Sequence, residues 1–391
     1  MSMKIKTMSC RHILFLSFSL FSIMTGCKER YSDNVLDFDV VEEVDLSPIT
    51  SDIDIIPIKC SVPMDGIRGA KIYNDYIIME GDDQKRIYCI KEDSVVSILN
   101  SVGRGHGEYS YIDDFTYDEK THILYVRDEE KLLKYSVPSM SFLGSSDINY
   151  TTIGMVVLNP DEILANCSFW EDDAYKECFN GLCVISTSTG EIIKRCYKSD
   201  FYDGLCLYED DFDSYKDEII MPVAGVYNNR VVTLDPQTSA TKELDVFCFS
   251  PKWRLPKNLI KLANKWDSFN YSMEADNRTA FCEGFHMPAF INSRLTFWCY
   301  PVENFSDKAV VVIKDEDKYI KRHFYVSGTS IRINSYFIKD NNNFQVIDYA
   351  PESIITDPEN VSDFGKEIYN AMKAQPFNNP ILLSFTVDKN I

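Results

Sequence analysis

Gly103-Arg104-Gly105-His106-Gly107-Glu108-Tyr109 stands between two sets of strand-like runs. Upstream are Tyr76-Ile-Ile-Met-Glu-Gly-Asp-Asp, Arg86-Ile-Tyr-Cys-Ile and Ser94-Val-Val-Ser-Ile-Leu. Downstream are Ile123-Leu-Tyr-Val-Arg-Asp-Glu-Glu, Leu132-Leu-Lys-Tyr-Ser and Ser141-Phe-Leu-Gly. The two sets repeat each other, and Tyr88 and Tyr135 occupy matching places 47 residues apart. A repeat of short strands at about that length is the signature of a β-propeller blade. The three alternating glycines permit positive φ and close packing, as a connector between blades requires. The same turn is a poor phosphate loop. No Gly-Lys-Ser/Thr follows it, the next segment is strand-like rather than helical, and Glu108 would repel the ligand.

Outward from this repeat the copies loosen. Ile163 to Cys167, Leu182 to Ser186 and Glu191 to Cys196 form a third. Asp217 to Met221, Arg230 to Leu234 and Thr241 to Phe247 form a fourth, and four runs between Phe285 and Val326 form a fifth. Tyr336 to Ile338, Phe344 to Tyr349 and Ile381 to Val387 leave a sixth one strand short. The orphan run Ile53 to Ile58 can supply it, so the expected fold is all-β: a six-bladed propeller closed by its N-terminal strand. Two stretches, Pro256 to Trp266 and Val361 to Lys373, have helical rather than strand periodicity and are read as short helical insertions.

The N-terminus carries a basic region (Lys4, Lys6, Arg11), an apolar run from Ile13 to Ile23, and then Met24-Thr25-Gly26-Cys27. The apolar run is short for a bilayer span and reads as a cleaved signal. Small residues before a cysteine resemble the lipobox of bacterial lipoproteins, in which the cysteine is acylated. The expected organisation is a signal peptide at 1–26, a lipid-anchored tether at 27–40 and the propeller at 41–391. The address this implies is the cell envelope, as an outer-membrane lipoprotein. The net charge of −20 becomes more negative once the signal is removed. Nucleic acid is excluded as a partner, and membrane contact is expected through the lipid alone. Of twelve cysteines, Cys10 falls in the signal and Cys27 at the lipid site. Most others lie in strand-like runs and read as buried thiols. Asn180-Gly181 reads as a two-residue hairpin turn that would bring Cys178 opposite Cys183, a candidate disulfide.

The glycine turn followed by Tyr111-Ile-Asp-Asp-Phe resembles the signature of the 6-bladed β-propeller lipoproteins of gut-dwelling Gram-negative bacteria. There the turn usually reads G-x-G-P-G-E-Y, so His106 stands in the place of a proline. Asn379-Pro380-Ile-Leu-Leu-Ser-Phe resembles the family's ending, and Ile53 to Ile58 its opening strand. The resemblance implies an NHL-like six-bladed fold and an envelope location. It implies no defined activity.

Motifs that would mark an enzyme are sparse. The five histidines never fall at metal-ligand spacing, and Glu209 to Asp213 lacks the glycine and final glutamate of a calcium loop. No Gly-x-Ser-x-Gly elbow occurs. No cofactor or metal is expected. In a four-stranded blade the connectors between blades and the loops between second and third strands emerge on one face. That face is expected to gather Arg104, His106, Glu108, Asp82, Asp83, Asp128, Trp170 and Asp172 as a binding surface. The function expected is a binding or scaffold module for a ligand or envelope protein. The alternatives are a hydrolase or lyase acting on glycans or lactones, with carboxylates at the channel mouth, and a structural subunit of an envelope complex.

Overall fold

The computed structural model describes residues 32–48, 53–64, 66–170, 178–198, 212–215, 218–223, 229–254, 280–291, 293–303, 306–307, 309–332, 337–339, 342–348 and 350–386. Its strands form six sheets in sequence order around a ring. Blade one comprises Ile67–Ile72, Ile77–Gly81, Ile87–Lys91 and Ser94–Leu99. Blade two comprises Asp114–Asp118, Ile123–Asp128, Lys131–Ser136 and Phe142–Asp147. Blade three is Thr151–Asn159, Glu162–Trp170, Cys178–Ser186 and Ile192–Lys198; its first strand escaped the sequence reading. Blade four runs from Asp213–Tyr215 to Thr241–Phe249 and blade five from Ala280–Ile291 to Lys318–Tyr325. Blade six has Phe337–Lys339, Asn342–Ile347 and Ile381–Thr386 from the C-terminal end of the chain.

Three N-terminal strands are added to the outer edges of blades four, five and six. The last, β3 (Ile53–Pro57), pairs antiparallel with Ile381–Thr386, with Ile381 opposite Pro57 and Phe385 opposite Ile53. This is the closure anticipated from the sequence. The first two were not anticipated. β1 (Val35–Leu36) lies parallel to the outer strand of blade four, and β2 (Glu42–Asp45) parallel to that of blade five. Lys59 then bridges to Ser94 on the outer strand of blade one. A strap thus crosses the rims of blades four, five, six and one. The expected tether at 27–40 is corrected here: from Ser32 onward it is docked. β1 gains only a few backbone hydrogen bonds, worth about 1 kcal/mol each. Leu36 and Phe38, at 0 and 5% exposure, contribute roughly 2 kcal/mol each, so side-chain burial dominates. Polar, acidic composition concealed this, because the partners lie more than 200 residues away.

The core is divided among six apolar clusters, one at each interface between successive blades. Alternation along each strand feeds two of them. Ile78, Ile87 and Cys89 face blade two, whereas Met79, Tyr88 and Ile90 face blade six. Both faces of a blade are therefore covered, which explains the continuous apolar runs.

The insertion in blade six contains α1 (Pro351–Ile354) and α2 (Asp363–Ala374). Ser362 caps α2 by accepting from Gly365 N–H at 3.0 Å, and Phe364, Ile368 and Met372 bury one stripe against blades five and six. The other expected helix, Pro256 to Trp266, lies outside the described residues. The residues just before it sit at the rim beside the strap. Trp253 packs edge-on to Phe38, and Lys252 Nζ lies 2.7 Å from Asp39 Oδ1.

The expected Cys178–Cys183 bridge is also corrected. Cys178–Ser186 is one uninterrupted strand, in which Cys178 pairs with Trp170 and Cys183 with Ala165. Five residues of strand separate the two cysteines, about 16 Å. Cys183 is a buried free thiol. Gly181 is needed for another reason: at φ +147°, a Cβ there would stand 2.0 Å from Tyr197 O of the neighbouring strand. The glycine permits backbone approach within the sheet.

Candidate functional site

The first strand of each blade is inner, and these strands meet around the axis. An inner strand leaves backbone groups along one edge unpaired, and such groups require partners. Blade one supplies them to blade two. Arg68 Nη1 donates to Ile112 O at 3.3 Å, Lys71 Nζ to Phe115 O at 2.5 Å, and Tyr117 N–H to Tyr73 Oη at 3.1 Å. Each pair is 44 residues apart, close to one blade repeat. Lys71 also lies 3.5 Å from both Asp114 Oδ1 and Met155 O, so one ammonium touches the inner strands of blades two and three from blade one. Above it Arg68 pairs with buried Glu80 at 3.0 Å. Sequence reasoning passed over these pairs. The signal was present as charges inside otherwise apolar strands.

The glycine turn lies on the loop-rich face above these pairs. Glu108 Oε2 accepts from Gly105 N–H at 2.6 Å, and its carboxylate lies where a Cβ at Gly103 would sit 2.0 Å away. Gly107 has φ +76°, with Phe142 against it. Tyr109 is fully buried between blades one and two. Its hydroxyl donates to Lys85 O at 2.7 Å and accepts from Ser101 N–H at 3.2 Å. Burial pushes its pKa up to about 12. The motif is therefore a connector bolted to the neighbouring loop, and Ile112 N–H reinforces it by donating to Gln84 O at 2.7 Å.

The structure divides the expected surface residues into two groups. Asp82, Asp83, Arg104 and His106 are exposed, on the connector and on the facing loop of blade one. His106 stacks edge-on against Phe142 at 4.8 Å. Glu108 and Asp128 shape the loops instead. Asp128 is buried and accepts from Ser110 and Tyr111 N–H at 3.2 and 3.4 Å. Trp170 ends a strand of blade three, and Asp172 lies outside the described residues. Beside Asp128, Asp113 Oδ2 sits 3.1 Å from Arg127 Nη2 and accepts from Glu129 N–H at 2.7 Å. Burial raises the Asp113 carboxyl pKa against the pull of Arg127. Among the described residues no group of three or more His, Cys, Asp or Glu side chains could hold a metal ion.

The C-terminal Asn379-Pro380 pair also has a structural role. Asn379 is fully buried and accepts from Met64 N–H at 2.9 Å, tying the last blade to the end of the strap. On the loop-rich face Asp348 of blade six accepts from Ile67 N–H at 2.9 Å.

Among solved structures, a Bacteroides fragilis protein described as exported superposes with a TM-score of 0.65 at 15% identity, covering 91% of this chain and 99% of that one. A member of the DUF4221 family from Bacteroides vulgatus gives a TM-score of 0.45 at 10% identity, covering 85% and 98%. No curated protein matches the sequence significantly. A family model, DUF5128, described as 6-bladed beta-propeller, matches residues 25–278. With six blades in the ring and most of the chain matched, the protein belongs to the DUF5128 family of 6-bladed beta-propellers.

Proposed function

We propose that this propeller is an exported, lipid-anchored binding module that engages its ligand through the loop-rich face at blades one and two. The observation that carries the reading is the rigid connector: Tyr109 and Asp128 fix its backbone, while Arg104, His106, Asp82 and Asp83 project from it and the facing loop into solvent. A preorganised loop loses little entropy on binding. The Met24-Thr25-Gly26-Cys27 junction supports the anchor, and the Bacteroides fragilis neighbour described as exported supports export. Among the described residues no helix is long and apolar enough to cross a membrane. Binding is favoured over glycan or lactone hydrolysis because the carboxylates around the connector, Glu108, Asp113 and Asp128, are held by backbone N–H groups.

Two variants test the two halves. Cys27→Ala should move the protein from the membrane fraction to the soluble one and abolish incorporation of labelled fatty acid. An Arg104→Glu, His106→Ala, Asp83→Lys triple variant should lose ligands captured by the wild-type protein on glycan and peptide arrays while melting at the same temperature. Unchanged array binding would rule out this face.

A further inference from the structure

The strap fixes where an anchor at Cys27 must lie on the propeller. Ser32 Oγ and Asn34 Nδ2 both donate to Val246 O, at 2.8 and 3.1 Å, and Cys248 N–H donates to Asn34 O at 2.9 Å. The chain is therefore held on the outer strand of blade four from Ser32 onward. Only four residues lie between Ser32 and Cys27, five steps of chain with a reach of at most about 18 Å. Direction adds a second constraint. β1 runs parallel to Thr241–Phe249, whose last residue leads into the connector on the loop-rich face. The pairing is with its last residues, Val35 opposite Cys248 and Leu36 opposite Phe249, so the strap docks near the end of that strand that leads into the loop-rich face. Ring order adds a third, because blade four lies three places from blade one, across the axis from the Arg104–Tyr109 connector.

Resting on the lipid-anchor reading above, we infer that the strap orients the whole molecule on its membrane. The rim of blade four lies next to the bilayer. The connector cluster of blades one and two is carried to the far side, toward a water-soluble partner rather than lipid. The net charge of −20 acts in the same sense, since an acidic protein is repelled from lying flat on anionic headgroups.

Energy transfer in proteoliposomes tests this. The lipidated full-length protein would carry one donor dye on a genetically encoded click-reactive residue, replacing exposed Lys242 in one variant and exposed Arg104 in another. Acceptor dye would sit on the lipid headgroups. Transfer from position 242 should exceed transfer from 104 several-fold. Insertion of about twenty glycine and serine residues after Lys28 should abolish that difference by freeing the propeller to tumble. Equal transfer from both positions, or stronger transfer from 104, overturns the orientation while leaving the anchor intact. A difference that survives the insertion overturns the strap as its cause. If the lipidated chain does not float with vesicles, or if Cys27→Ala protein does, the anchor itself is wrong and the orientation falls with it.

Discussion

Tyr109 is where a sequence motif becomes mechanics. Its ring fills the space between two blades, and its hydroxyl bonds the connector to the loop at Lys85. Removing that oxygen leaves the Lys85 carbonyl and Ser101 N–H without this partner. An orphaned buried group costs about 1–3 kcal/mol. Tyr109→Phe should therefore destabilise the protein by about 1–2 kcal/mol in urea unfolding. Tyr111→Phe, which loses a hydroxyl contact to exposed Glu129, should leave the midpoint in place. Equal midpoints for both variants would remove Tyr109 as a bolt. Much of this site was legible: the glycines, the aromatic and the acid read together as an inter-blade connector. The divided roles of the acids were not, because Glu108, Asp128 and Asp82 look alike until the backbone groups they face are known. Asn180-Gly181 misled for the same reason. Local turn preference was overridden by pairing to strands on both sides, which only the fold supplies.

The strap is the element that the sequence concealed and the one most open to test. β1 and β2 are two and four residues long, too short for periodicity to register, and their charges suited a solvated tether. α2 was legible because its apolar stripe is a local feature. Truncation should separate the parts of the strap. Deleting residues 28–31 should leave the melting temperature unchanged. Deleting 28–46 should lower it by removing buried Leu36, Phe38 and Leu46. Deleting 28–59 should lower it most, since blade six then loses β3 and the ring its closure. Equal melting temperatures for the last two would mean that closure contributes nothing. Acid should also loosen the strap at Asp45. Its carboxylate accepts from Ser47 and Ser327, and although burial opposes them, these bonds hold its pKa below the usual value. A lowered folded-state pKa contributes stability that is complete above the unfolded value near 3.9 and is lost as pH falls through the folded value. The stability difference between wild type and Asp45→Asn should accordingly hold at pH 5 and narrow below pH 4. A constant difference down to pH 2.5 would place the effect elsewhere.

At the scale of the whole molecule, a propeller must satisfy the inner edges that converge on its axis, where neighbouring sheets are too splayed to pair. This chain does so with side chains passed from one blade to the next, and Lys71 carries that solution furthest. Its side chain is 13% exposed and that of Asp114 3%, so water screens the pair little. The ammonium meets one carboxylate and two carbonyls drawn from blades two and three. Replacing it with an apolar isostere removes the cation from a buried carboxylate and two edge carbonyls, although Asp114 still accepts from Phe115 N–H at 2.7 Å. Breaking a buried pair in this way costs about 3–5 kcal/mol. Lys71→Met should therefore lower stability by about 3 kcal/mol, after allowance for the partial exposure. Lys59 offers the matched comparison, because it also pairs with an aspartate, Asp93, but at 70% and 36% side-chain exposure on the rim. Exposed pairs of that kind contribute little, so Lys59→Met should unfold at the wild-type urea concentration. Combining Lys71→Met with Asp114→Asn should restore part of the lost stability, because it removes the buried charge as well. If Lys71→Met proves as stable as Lys59→Met, the inner edges are satisfied without it, and the ring is held by its six apolar interfaces alone.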